Sequence, residues 1–151
     1  ACAAMPAVSA LDAFAWVARH PWLYPALEVV HIVGIALLLG SLVLVELRVW
    51  GLGAALPMAP LARLGLAVSL VGFGLVLLSG LTMFASQAAD LIAHRYFLIK
   101  IGLVAIAGIN AALFHARGGL SRLDGVARAQ TLLSLGLWLG VIICGRWIAY
   151  H

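Results

Sequence analysis

Four stretches of the chain, at about Ala26–Leu47, Leu64–Ser86, Tyr96–His115 and Thr131–Tyr150, are almost free of charge. Each is near the ~20 residues that a helix needs to cross a bilayer core. Inside that core no water satisfies a bare backbone N–H or C=O, so the helix is the one local structure open to a single such stretch. The composition agrees. Sixty-six per cent of the residues are hydrophobic and 9% are charged, at a mean hydropathy of +1.17. A soluble domain carries about 25% charged residues. The expected fold is therefore all-α, an integral membrane antiparallel four-helix bundle. Its 151 residues leave room for four spans and short loops, and none for a large extramembrane catalytic domain.

Ahead of the spans, Ser9 to Arg19 reads as a short amphipathic helix, with Ser9 and Asp12 resembling a capping box. His20-Pro21-Trp22-Leu23-Tyr24-Pro25 then breaks it and supplies aromatic residues suited to the membrane interface. Residues 1–25 thus form an interfacial segment and residues 26–151 the bundle. The opening Ala1-Cys2-Ala3-Ala4-Met5-Pro6 shows no basic region ahead of a short apolar core, so no signal peptide is read there; Met5 is a candidate start. Within the spans, Gly65, Ser69, Gly72, Val76, Ser79 and Met83 share one face of the second. Gly108, Ala111, Ala112 and His115 neighbour one another on the third, and Gly136 and Gly140 form a GxxxG in the fourth. Small residues let helix backbones approach where lipid supplies no hydrophobic drive.

The net charge is +4, from nine Lys and Arg against five Asp and Glu, with no basic run that would suit nucleic acid. Four spans put both termini on one side, here the terminal side. The opposite side carries Arg48, Arg63, Arg117, Arg122 and Arg128; the terminal side carries Arg19, Arg95, Lys100 and Arg146, the last two within spans. The positive-inside rule then places the opposite side in the cytoplasm and the termini in the periplasm. Cys2 and Cys144 form no CxxC, haem-attachment or zinc spacing. Cys144, inside a span, reads as an inert core thiol, with a disulfide left open.

The remaining ionisable residues converge. Glu28 and His31 lie about one turn inside the first span from the terminal side and share a face. Lys100 and Arg146 lie about one turn inside the third and fourth spans from that same side, and Met83 lies near the matching end of the second. Ionisable groups in a bilayer turn inward toward partners or water. One interpretation is structural: Glu28 pairs with Lys100 or Arg146, or the two cations snorkel to the interface. The other is a ligand site. An imidazole at His31 suits haem iron, copper or a proton relay, with Lys100, Arg146 and Arg95 as cations for haem propionates. The second ligand stays open among Met83, His94 and His151. His115 lies roughly 20 Å from His31 along the membrane normal and reads as a packing or interfacial residue. Asn110 reads as an interhelical hydrogen-bonding residue, and Glu46 and Arg48 as interfacial charges. No HExxH, GxSxG, P-loop or Rossmann pattern occurs.

Tyr24-Pro25-Ala26-Leu27-Glu28-Val29-Val30-His31-Ile32-Val33-Gly34, with Leu37-Leu38-Leu39-Gly40-Ser41, Glu46-Leu47-Arg48 and Gly51-Leu52, carries a resemblance. Phe97-Leu98-Ile99-Lys100 and Asn110-Ala111-Ala112-Leu113-Phe114-His115 extend it. Together they resemble a family of small bacterial four-helix inner-membrane proteins. That family is similar in architecture to copper-resistance D type membrane domains and, more distantly, to b-type cytochrome bundles. The resemblance implies fold and inner-membrane location, and by analogy a haem role for His31. The expectation is a membrane redox subunit, more an electron-transfer or accessory subunit than an enzyme. It would bind haem b or serve quinone at the cluster of Glu28, His31, Lys100 and Arg146, beside other membrane subunits. The alternatives are a cofactor-free accessory or scaffold subunit and a copper-handling protein that uses His31, Met83 and His94.

Overall fold

The computed structural model describes residues 14–148 and 150, so the capping expected of Ser9 and Asp12 and the ligand role weighed for His151 lie outside the described residues. Among the described residues the fold is an all-α membrane helical bundle. The elements are α1 (Ala15–Arg19), α2 (Leu23–Val49), α3 (Met58–Ser86), α4 (Ala88–Ile92), α5 (Arg95–Ala116), α6 (Gly119–Arg122) and α7 (Gly125–Ile148). Four of them, α2, α3, α5 and α7, are long and apolar enough to cross a membrane.

Local chemistry sets the ends of these helices. His20 is extended, as a residue before proline favours, and ends α1. Its Nδ1 then accepts the backbone N–H groups of Trp22 at 3.3 Å and Leu23 at 3.1 Å, two donors that the first turn of α2 leaves unpaired. Pro25 and Pro60 fall in the first turns of α2 and α3, where the missing proline N–H would have had no helical partner. That is why α3 starts at Met58, six residues before the span expected from hydropathy. Helix α7 also starts six residues early. Asp124 Oδ1 accepts the Ala127 N–H at 2.9 Å and caps it, so the polar Arg128 and Gln130 belong to the helix.

The chain divides into two compact units, one of Ala1–Leu38 with Leu70–Ala93, the other of Leu39–Ser69 with His94–His151. In the first, α2 and α3 meet backbone to backbone. A Cβ on Gly34 would lie 2.8 Å from the Gly72 carbonyl oxygen, and one on Gly72 would lie 2.6 Å from the Leu38 nitrogen. In the second unit, Gly65 lies under Val45, and the Ser41 and Ser69 hydroxyls are 2.7 Å apart. The small-residue face expected of the second span is thus the packed face of α3.

The second unit has its apolar core where Val49, Phe114 and Ala127 meet, with Met58, Leu120 and Leu123 around them. Gly119 lies beneath the Phe114 ring, 2.6 Å from where its Cβ would be. The buried face of α5 is Ala107, Asn110 and Phe114. The sequence had pointed one position away, to Gly108, Ala111, Ala112 and His115; Gly108 faces open space and the other three are exposed. Of the GxxxG pair in α7, a Cβ on Gly140 would lie 3.1 Å from Leu103 Cδ1, and Gly136 faces open space.

Gly72→Ala should therefore destabilise the protein by about 1–3 kcal/mol, because backbone atoms must move apart. Gly136→Ala should leave stability unchanged or slightly raised. Thermal unfolding of both variants in one detergent, followed by circular dichroism, checks the contrast; equal shifts would contradict the close α2–α3 approach.

Candidate functional site

In the first unit the distinctive group is His31. Its Nδ1 lies 3.0 Å from Ser79 Oγ. The Ser79 hydroxyl has one hydrogen, and it donates that to the Leu75 carbonyl at 2.6 Å. Toward His31 the serine oxygen is then left as acceptor, and the tautomer that matches it carries its proton on Nδ1. In the neutral ring Nε2 then carries the lone pair. The ring lies beside Gly80, where a Cβ would come within 3.3 Å of Cε1. Two neighbours on α3 thus seat the imidazole: Ser79 sets its tautomer and Gly80 leaves it room. Glu28, one turn away on α2, is exposed, and Met83, one turn beyond Ser79, is half-buried.

The second unit holds the other expected site residues. The Lys100 head lies against Gly145, with Nζ 3.4 Å from where a Cβ would be. Arg146 is exposed, donates to the Tyr150 hydroxyl and sits over that ring at 4.7 Å. Tyr96 and Trp147 stack with centroids 6.2 Å apart. Arg95 is exposed. His94 precedes α5, and both its ring nitrogens are buried with no hydrogen-bond partner among the described residues. An imidazole in that state lacks the partner that buried polar atoms normally have. Of the expected cluster, Glu28, His31 and Met83 belong to one unit and His94, Arg95, Lys100 and Arg146 to the other. Among the described residues no three His, Cys, Asp or Glu side chains group as a metal site. Cys144 is a free, buried thiol.

A second polar site lies in the second unit and was missed from sequence. Glu46, expected at the interface, is buried, with 8% of its surface exposed. It makes no ion pair among the described residues. With Asn110, Thr131 and Ser134 it lines a cavity of about 50 Å³, whose other walls include Leu42, Val45 and Phe114. Asn110 Nδ2 donates to the Gln130 carbonyl of α7 at 2.9 Å, the interhelical bond expected of it. Thr131 Oγ1 accepts the Trp50 indole N–H at 2.8 Å and donates to the Arg128 carbonyl at 2.7 Å. His115 is exposed, stands edge-on to Phe114 and forms part of the cavity wall. Arg48 is not part of the cavity wall and donates from Nε to the Leu56 carbonyl at 2.9 Å.

The register of the cavity residues on α7 depends on where that helix begins. Asp124, in the turn before it, also pairs with Arg117 at 3.1 Å, and Arg117 reaches Gln130 Oε1 at 3.2 Å. The Ala127 N–H, and after it the Arg117 guanidinium, hold the Asp124 carboxyl below the usual carboxylate range. A depressed folded-state pKa adds stability above the unfolded value of about 3.9 and loses it as pH falls through the folded value. Asp124→Asn should therefore melt below wild type at neutral pH, with the gap closing under acid conditions. Melting curves of both proteins between neutral and strongly acid pH check this, and a gap independent of pH would contradict it.

Comparison with known proteins finds no family model, curated relative or solved structure that matches the chain.

Proposed function

We propose that the protein is a multi-pass redox subunit of a bacterial inner membrane, with His31 as the residue that would hold the iron of haem b. The observation that carries this reading is the 3.0 Å contact of His31 Nδ1 with Ser79 Oγ, whose own hydrogen goes to the Leu75 carbonyl. A metal-ligating histidine characteristically donates its other ring N–H to an oxygen, which fixes ring orientation and tautomer. The same tautomer favours ligation over a quinone site, because a quinone carbonyl asks for an N–H and Nε2 offers a lone pair. The room that Gly80 leaves beside the ring is a second feature in favour.

Bound haem supplies one-electron transfer at its iron, at a potential tuned by ligands and burial. The chain's own work is positional. Ser79 holds the imidazole against rotation, and its bond to the Leu75 carbonyl keeps its own hydrogen away from His31. The apolar helices keep bulk water from the ring. His94 is the ligand-competent imidazole of the other unit, since its ring nitrogens have no partner among the described residues. Electrons would pass to and from other membrane subunits. The family resemblance, in which His31 and its surrounding residues take part, points the same way.

Visible spectra of the detergent-purified protein, oxidised and reduced, test the reading. A Soret band is expected in wild type and its loss in His31→Ala. Ser79→Ala should keep the band but shift it or the midpoint potential. His94→Ala reads the second imidazole separately. Wild-type protein with no chromophore would overturn the proposal; if bound copper appeared instead, the copper reading would replace it, and if no metal appeared, a cofactor-free accessory subunit would.

The orientation we propose follows the excess of arginines at the ends marked by Arg48, Arg63, Arg117, Arg122 and Arg128. Alkaline phosphatase fused after residue 151 should be active, and the same enzyme inserted in the 117–124 connection should be inactive. The reverse pattern would place the termini in the cytoplasm.

A further inference from the structure

In the second unit the ends of the long helices meet at one core. Val49 closes α2, Met58 opens α3, Phe114 lies in the last turn of α5 and Ala127 in the first turn of α7, and they pack together with Leu120 and Leu123. The arginines gather at this same end. Arg48 adjoins Val49, Arg122 adjoins Leu123 and Arg128 adjoins Ala127 in the chain, and Arg117 follows Phe114 within one turn. Arg63, exposed on α3, lies roughly 7 Å along that helix from Met58, a depth from which a long side chain can snorkel back.

One surface carboxylate stands among them. Asp124 pairs with Arg117 at 3.1 Å, and Arg117 also reaches Gln130. Arg48, Arg63, Arg122 and Arg128 make no ion pair among the described residues. Arg48 is tethered to the Leu56 carbonyl and Arg128 lies over the Trp50 ring at 5.8 Å, contacts that orient these cations without neutralising them. The five arginines exceed Asp124 by four charges, and by three with the buried Glu46 counted as charged (5 − 1 and 5 − 2).

The chemistry of the patch selects its occupant. Each of these cations is a guanidinium, which accepts no hydrogen bond and can donate to two oxygens of one phosphate. They lie at the ends of membrane-spanning helices, the level of lipid headgroups. The connection 50–57 is exposed along its length and carries Trp50, Leu52 (61% exposed) and Leu56 (53% exposed), two of which touch Arg128 and Arg48. Apolar side chains exposed among cations suit the boundary between headgroups and acyl chains, and not a polyanion in water.

We propose that this arginine-rich end of the second unit is a binding surface for anionic phospholipid headgroups. Arg48, Arg63, Arg122 and Arg128 hold the phosphates, and Trp50, Leu52 and Leu56 enter the boundary beneath them. The proposal holds whichever side of the membrane this end faces, and with or without haem.

Thermal melting of the detergent-purified protein with added phosphatidylglycerol, phosphatidylcholine or inorganic phosphate tests it. Phosphatidylglycerol should raise the melting temperature of wild type well above the value in phosphatidylcholine or phosphate. Arg63→Gln and Arg122→Gln should each raise the half-saturating phosphatidylglycerol concentration by about five-fold. Arg95→Gln makes the same change of charge at the far end of α5 and should leave it unaltered. Equal gains from the two lipids, or no gain from either, would overturn the proposal. A gain from inorganic phosphate as large as that from phosphatidylglycerol would overturn it in favour of a free anion. An Arg95→Gln effect matching that of Arg122→Gln would overturn it as well, since net charge alone would then account for the gain. The comparison of lipids on wild type needs no variant to fold.

Discussion

A bilayer core offers no hydrogen bond to a polar group, so each such group in the spans must find its partner within the protein. The backbone is satisfied by helix formation. The side chains follow the same rule in a graded way. Thr82 and Ser86 return their hydroxyl hydrogens to carbonyls of their own helix, at Leu78 and Met83, and ask nothing of a neighbour. Ser79 and Thr131 do the same and also face a nitrogen from outside their own helix, His31 in one case and Trp50 in the other. These second contacts tie helices together and orient the groups that have chemistry to offer.

Close backbone approach is the other requirement, and it serves the same end. A serine reaches an imidazole on a neighbouring helix only if the two helices run close. Gly34 and Gly72 allow that one to two turns below the His31–Ser79 pair. A methyl group at either glycine would separate the helices at the level that sets the His31 geometry. Packing glycines and the oriented histidine are thus one construction in the first unit. In the second unit Phe114 over Gly119 and the Asp124 cap play the corresponding part, fixing α5 and α7 where Asn110, Thr131 and Ser134 reach the cavity.

How far this was legible in the sequence depended on whether a signal was local. Four long helices follow from hydropathy alone. The packed face of α3 follows from its small residues, since Gly65, Ser69, Gly72 and Ser79 all meet α2. The early starts of α3 and α7 did not follow, because prolines and a capping aspartate, not hydropathy, decide where a helix begins. The buried face of α5 was misplaced by one position because a large side chain, Phe114, sets its rotation. Glu46 was read as interfacial from its nearness to Arg48. Yet Leu42, Val45 and Val49 share its helical face, and that apolar stripe is the signal that could have placed it inside. Asn110, Thr131 and Ser134, which line the same cavity, lie on other helices, where no local pattern points to them.

Hydroxyl groups carry one hydrogen each, and where that hydrogen goes decides what a neighbour can become. Ser79 spends its hydrogen on Leu75, so His31 must donate to it and keeps a lone pair on the far nitrogen. Thr131 spends its hydrogen on the Arg128 carbonyl, so its oxygen is left to accept from the Trp50 indole. In each unit a hydroxyl satisfied within its own helix becomes the acceptor that orients an aromatic donor from elsewhere in that unit.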